Sequence, residues 1–309
     1  MKKLALLTLT ALALCGCNKT PVDTSGLKIV CPTGAPAYAF YNHAQNNNFE
    51  TNGTPSNIVA MMSAASDKDI VVIDTVSGIK AINNGAPFKL SSTITFGNFF
   101  IAATGNDDNG VMDDGDVIVL FGEHQTPDLL FTYLFGDTLN TNKQFVGNVQ
   151  DAAKVLISGK NFVTGDNADY VFVAQPVLFN ALQKNPNAST YLNVQDAYKE
   201  KTGGKSLLQA SVFIRDEVDQ KVSKQFLEDL KKDIEKETET PDVIAEALKD
   251  LSAEEIASIY GVPAETAVAV LKDGNGLGLG FKNAKENKDN IDSFIELFGL
   301  DKTNEKNYY

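Results

Sequence analysis

The residues best placed to do chemistry sit where an apolar run stops. Asp116-Val117-Ile118-Val119-Leu120-Phe121 ends at Gly122, and Glu123-His124-Gln125-Thr126 follow before Pro127-Asp128. Thr126 reads as the N-cap of a helix, with Pro127 at its first position and Asp128 in its first turn. A strand–loop–helix junction of this kind aims several backbone N–H groups without intrahelical partners at one place. Such donors grip a carboxylate, sulfonate, phosphate or carbonyl. The stretch Leu27-Lys28-Ile29-Val30-Cys31-Pro32-Thr33-Gly34-Ala35-Pro36 has the same order of parts. The two junctions read as opposing jaws of a ligand clamp.

Bond-making chemistry is harder to find. The chain has two histidines, His43 and His124, and no nucleophile–His–acid constellation follows from the spacing. No catalytic residue, metal site or cofactor is expected. Gly105-Asn106-Asp107-Asp108-Asn109-Gly110-Val111-Met112-Asp113-Asp114-Gly115-Asp116 invites a calcium reading. An EF-hand loop needs oxygen ligands at positions 1, 3 and 5, Gly at 6 and Glu at 12, and no register supplies them. The run reads as a turn-rich connector between two lobes. Gly274-Asn275-Gly276-Leu277-Gly278-Leu279-Gly280 lacks the preceding strand of a dinucleotide loop and reads as a flexible connector.

Residues 1–16 read as an export signal: Lys2 and Lys3, then an apolar Leu4–Leu14 stretch too short for a permanent span. Leu14-Cys15-Gly16-Cys17 resembles the bacterial lipobox, which implies cleavage before Cys17 and lipidation of its sulfur. The alternative is an ordinary secretory signal with an incidental cysteine. Residues 17–26 then form a polar tether. With Cys15 removed and Cys17 lipidated, Cys31 has no disulfide partner and reads as a buried small hydrophobe. The formal net charge of −13 argues against nucleic-acid binding. A hydrophobic content of 43% suffices for ordinary cores in one or two domains.

Stepping along the chain, strands are expected at 27–31, 69–74, 88–95, 97–104, from 117, at 143–146, 169–174 and 207–214. Helices are expected at 36–47, from Thr54 to about 65, and at 75–83, 127–135, 149–158, 176–184 and 195–202. After Ile214 the pattern turns helical, over 217–237, 242–251, 253–260, 263–272 and 287–297. Ser252 and Glu255 form a capping-box signature. The fold class is α/β.

Several features together resemble the substrate-binding lipoproteins of ABC importers, in the branch that handles nitrate, sulfonates, taurine and thiamine-precursor pyrimidines. They are the Leu27–Pro36 strand and loop, the acidic-ended strand to Asp74-Thr75, Gly115-Asp116-Val117 through Pro127, Gly159, and Ala168-Asp169-Tyr170 through Gln175-Pro176. The resemblance runs from Leu27 to about Leu300 and rests on order and spacing. It implies two open α/β lobes joined by a two-strand hinge, with a helical C-terminal part packed on the first lobe. Lobe I would comprise 27–105 and 210–309, and lobe II 106–209, with hinges near Ala102–Asp116 and Leu208–Ile214. In open α/β lobes the ligand sits at the carboxyl ends of the strands. Thr33, Gly34, Ala35, Tyr38, Asp74 and Thr75 would then line one jaw. Gly122, Glu123, His124, Gln125, Thr126 and Gln175 would line the other. Phe99 and Phe100 are candidates for an apolar ligand face. The family often has Glu where this chain has Gln175, which keeps hydrogen-bonding capacity and loses the charge. The implied protein is a monomeric, lipid-anchored, extracytoplasmic receptor that passes a small molecule to ABC permease and ATPase subunits. A surface antigen and a pyrimidine-synthesis-type enzyme on the same scaffold are the alternatives.

Overall fold

The computed structural model describes residues 22–107 and 109–309, so the expected signal, Cys17 and the tether up to residue 21 lie outside the described residues. The first part of the chain forms β1 (Ile29–Pro32), α1 (Ala35–Tyr38), β2 (Phe49–Asn52), α2 (Pro55–Ala60), β3 (Ile70–Asp74), α3 (Thr75–Asn83) and β4 (Phe88–Thr95). The middle forms β5 (Phe99–Ala103), β6 (Val117–Phe121), α4 (Thr126–Phe135), β7 (Asn142–Val146), α5 (Val149–Ser158), β8 (Tyr170–Ala174), α6 (Val177–Lys184), β9 (Ser189–Asn193) and α7 (Val194–Lys201). The last part forms β10 (Ala210–Arg215), α8 (Gln220–Glu239), α9 (Asp242–Leu248), α10 (Ala253–Tyr260), α11 (Ala264–Lys272), β11 (Leu279–Asn283) and α12 (Lys288–Glu296).

Two open sheets result, in the strand orders β11-β4-β10-β3-β1-β2 and β7-β6-β8-β5-β9. Each has a parallel half, β2-β1-β3 and β7-β6-β8. Strands buried on both faces read as continuous apolar runs. Ile70 to Ile73 and Tyr170 to Ala174 are such runs, and all are buried. The edge strands β2 and β9 escaped detection in the sequence because Phe-Glu-Thr-Asn and Ser-Thr-Tyr-Leu-Asn carry no apolar run. Edge positions tolerate that. The helix expected over 36–47 stops after one turn and continues as a 3₁₀ turn, Tyr41–His43. Asn42, Asn46, Asn47 and Asn48 are poor helix formers, and the chain must turn back to place β2 beside β1.

The expected lobe boundary at 105/106 is displaced. β5 pairs antiparallel with β8 and β9 in the second sheet, so the chain crosses at 96–98. It returns at 202–209. The two crossings touch: Gln209 N–H donates to Thr95 O at 3.0 Å and Asn98 N–H to Gln209 Oε1 at 3.3 Å. The Asp-rich run joins β5 to β6 within the second sheet. There Asp107 accepts from Tyr170 O–H at 2.6 Å and Asp116 from Asp113 N–H at 2.7 Å. The Gly-rich segment is also more than a loose connector. Phe96 N–H donates to Gly278 O at 2.7 Å, and a Cβ on Gly278, at φ +66, would lie 2.6 Å from Phe96 O. Only glycine allows that approach to the crossing segment.

On α8 the buried Phe226, Leu230 and Ile234 recur every fourth residue, as a core-facing stripe requires. Tyr309 N–H donates to Leu90 O at 2.9 Å, tying the last residues to β4. Among the described residues no helix is long and apolar enough to cross a membrane. The last turn of α8 holds an unusual group. Glu237 is fully buried, and neither carboxyl oxygen has a hydrogen-bond partner among the described residues. The buried hydroxyls of Tyr41 and Tyr260, within its electrostatic reach, are also unpartnered. Burial, then the nearby Asp233 carboxylate, pushes the Glu237 carboxyl well above the usual range.

Glu237 therefore folds best protonated. The unfolded chain releases its proton from about pH 4.3 upward, so stability is complete below that pH and declines until the raised folded value is passed. Glu237→Gln should remove this term. In urea melts from pH 5 upward, the variant should gain on the parent as pH rises toward the raised folded value, by at most about 1.4 kcal/mol per pH unit; parallel pH profiles would refute the assignment. Gly278→Ala should cost about 1–3 kcal/mol by the same assay.

Candidate ligand cleft

The parallel strands of both sheets point their carboxyl ends at one cleft, and helices start there. β1 leads to Thr33 and Gly34, β3 to Asp74, β6 to the Gly122–Gln125 loop, and β8 to Gln175 and Pro176. α5 adds its first turn, Asn148 to Gln150. Together they surround a cavity of about 130 Å³. That is below the span of drug-sized sites, roughly 300–1,000 Å³, so an occupant must be small. The walls are mostly apolar, with Ile73, Phe99, Phe121 and several prolines, and the polar lining residues are mainly amides. The Phe99 and Phe121 rings pack edge to face, with centroids 6.0 Å apart.

The lobes touch across this cavity. Thr126 Oγ1 of α4 donates to Asp74 Oδ1 at the start of α3, at 3.0 Å. Asp74 Oδ1 also accepts Ser77 N–H at 2.9 Å, as the N-cap of α3. Desolvation pushes the Asp74 carboxyl up, and these hydrogen bonds partly oppose it. Farther out, Thr266 of α11 donates to Asn180 Oδ1 of α6 at 3.2 Å.

Seven of the twelve expected residues line the cavity: Thr33, Gly34, Ala35, Asp74, Gln125, Thr126 and Gln175. Five do not. Tyr38 is fully buried, stacked on Tyr260 at 4.4 Å with its hydroxyl on Val262 O. Thr75 is buried against β10, its hydroxyl 2.8 Å from Ser211 Oγ. Gly122 and His124 both adopt positive φ, 71° and 60°. The loop thereby bulges outward and returns only at Gln125. Glu123 and His124 face solvent, with side chains 59% and 85% exposed. Thr126 is the first helical residue and Gln125 the N-cap, which frees the Thr126 hydroxyl for the opposite lobe.

Residues that the sequence pattern did not reveal complete the walls: Asn52, Asn98, Asn148, Gln150 and Gln209 among them. Asn148 carried a signal, since it caps α5 by accepting Asp151 N–H at 2.9 Å. Asn98 and Gln209 carried none, because they sit in the crossing segments. Phe99 lines the cavity and Phe100 does not, as alternation along a strand demands. Gln175 serves as a helix cap: its Oε1 accepts Phe179 N–H in the first turn of α6 at 3.1 Å.

No protein-family model matches the sequence, and no curated protein matches it. Solved structures do match. An ABC transporter protein from Parabacteroides distasonis superposes with a TM-score of 0.68 at 17% identity, over 89% of this chain and 92% of that one. The ligand-binding component of an ABC-type import system from Staphylococcus aureus, with zinc bound, gives 0.63 at 11% identity, over 91% and 95%. The alkanesulfonate-binding protein SsuA from Xanthomonas axonopodis pv. citri, bound to MOPS, gives 0.58 at 12% identity, over 88% and 92%. The fold is that of the two-lobed periplasmic binding proteins, as the sequence resemblance implies.

Removing the Thr126 hydroxyl leaves Asp74 without its partner on the other lobe. Thr126→Val should shift the population toward separated lobes, at a cost of about 1.5–3 kcal/mol for a hydrogen bond to a charged group. Small-angle X-ray scattering should show a larger radius of gyration than the parent. An unchanged scattering curve would mean the contact does not govern closure.

Proposed function

We propose that the protein is an extracytoplasmic solute receptor that encloses a small molecule between its lobes and delivers it to an ABC permease. The observation that carries this reading is the cavity itself. Both lobes build its walls at their strand ends, and the Thr126–Asp74 hydrogen bond bridges the lobes beside it. Two lobes hinged by a pair of adjacent crossings can open to admit a solute and close around it. The amide, proline and phenylalanine walls suit gripping and release, which favours a receptor over an enzyme. The lipobox-like Leu14-Cys15-Gly16-Cys17 supports a lipid anchor on Cys17, and the acidic surface suits a monomer held beside a membrane. Thr33, Gly34, Ala35, Asp74, Gln125, Thr126 and Gln175 are the residues proposed to contact the solute.

A receptor purified without refolding should retain its solute. Native mass spectrometry should show a discrete low-mass adduct, lost on partial denaturation. The same solute added back at 100 times its Kd should stabilise the protein by about 2.7 kcal/mol. Absence of any adduct, together with no thermal shift across a broad metabolite screen, would reject the receptor reading.

A further inference from the structure

We propose that the solute presents an amino group to Asp74 and Asn98 and carries a hydrogen-bond acceptor for Gln150 on a small apolar body. This rests on the receptor reading and sharpens it to a chemical class. The charge inventory points the same way from three sides. None of the described residues lining the cavity is Lys, Arg or His, and Asp74 is its one ionisable residue. An anion enclosed there would face a carboxylate with no countercharge, an arrangement that disfavours both charges.

Helix N-termini are the usual substitute for a cation, and here the cleft's own side chains take one N–H at three of them. Asp74 Oδ1 takes Ser77 N–H of α3, Asn148 Oδ1 takes Asp151 N–H of α5, and Gln175 Oε1 takes Phe179 N–H of α6. The first turn of α4 contains Pro127, which has no N–H. Asp128, in the same turn, accepts His124 N–H and pairs with Lys143 Nζ at 2.7 Å.

Among the described residues two buried side-chain atoms of the cavity wall are unmet, one acceptor and one donor. Asn98 is 1% exposed. Its Nδ2 donates to Gln175 O at 3.1 Å, which sets the amide orientation, and its Oδ1 has no partner. Both hydrogen bonds to Asp74 end on Oδ1, so Oδ2 accepts none from the described residues. A buried acceptor in the state of Asn98 Oδ1 calls for a donor. An ammonium supplies three donors and a positive charge beside Asp74. Desolvation alone pushes the Asp74 carboxyl up, and a neighbouring cation restores its charged form. The buried Gln150 Nε2 is also unpartnered and asks for one acceptor, such as a carbonyl. Phe99, Phe121 and the prolines accommodate the remaining apolar body.

The test is a matched-skeleton titration of the purified protein. Benzylamine, isobutylamine and 5-aminopentanamide are each compared with the alcohol and the carboxylate of the same skeleton, by calorimetry and thermal shift. At least one amine should bind tenfold or more tightly than its carboxylate counterpart. Asp74→Asn, which keeps a capping oxygen for α3, should reduce that ratio to within threefold. Asn98→Ala, which leaves the α3 cap untouched, should weaken the amine by threefold or more, and an unaltered amine affinity would overturn the Asn98 contact. Binding of carboxylates or alcohols in preference to every amine overturns the amine assignment and leaves the receptor reading standing. Failure of all compounds to bind also overturns it. The receptor reading itself falls only if native mass spectrometry of the same preparation shows no adduct.

Discussion

The carboxylate of Asp74 is shared by three parts of this protein. It terminates β3 and caps α3 through Ser77 N–H, it accepts the Thr126 hydroxyl from the other lobe, and its residue lines the cavity. A buried carboxylate is costly unless its lone pairs are met. Two of the hydrogen bonds that offset this cost come from opposite lobes, so the stability of one side chain is coupled to the distance between two domains. Opening the cleft strips Asp74 of one partner and returns water in exchange. That exchange costs about 1.5–3 kcal/mol for a hydrogen bond to a charged group.

The coupling works only if the lobes have a defined way to separate. The two crossings, 96–98 and 202–209, lie side by side, bonded through Gln209 to Thr95 and Asn98. Gly97 has φ +65, and a Cβ there would overlap the Gln195 side chain at 2.1 Å. Gln195 Oε1 in turn accepts Leu207 N–H of the return segment at 3.1 Å. Gly278 approaches the same place from the C-terminal part, its carbonyl on Phe96 N–H. Close approach at two glycines thus packs three chain segments around the crossings.

The cleft chemistry is set by how its helix starts are satisfied. A strand–loop–helix junction has spare N–H groups in isolation, and in sequence it reads as an anion site. In the folded protein Asp74, Asn148 and Gln175 each take one of those donors locally. The general affinity of helix N-termini for negative charge is partly met within the protein. What the cavity offers is the complement: a carboxylate, a buried amide oxygen, and apolar walls.

Much of the architecture was legible from residue order. The apolar runs 69–74 and 169–174 and the Asp74-Thr75 and Pro127 helix starts follow from local rules that burial and backbone sterics enforce on neighbouring residues. These fixed the α/β class and the strand ends that carry helix starts; the two-lobed arrangement is what the family resemblance implies. The direction of a side chain relative to a distant element does not follow from such rules. Tyr38 faces Tyr260, more than two hundred residues on, and Thr75 faces Ser211. Glu123 and His124 swing outward because Gly122 and His124 take left-handed backbone conformations. Asn98, Gln150 and Gln209 join the cavity through long-range packing, with no local signature. The sequence by itself determined which strands end in helix starts, because those signals lie within a few residues of one another. Only the tertiary structure decided which side chains meet in the cleft and which spare donors are already taken, because those partners come from different lobes and separate turns.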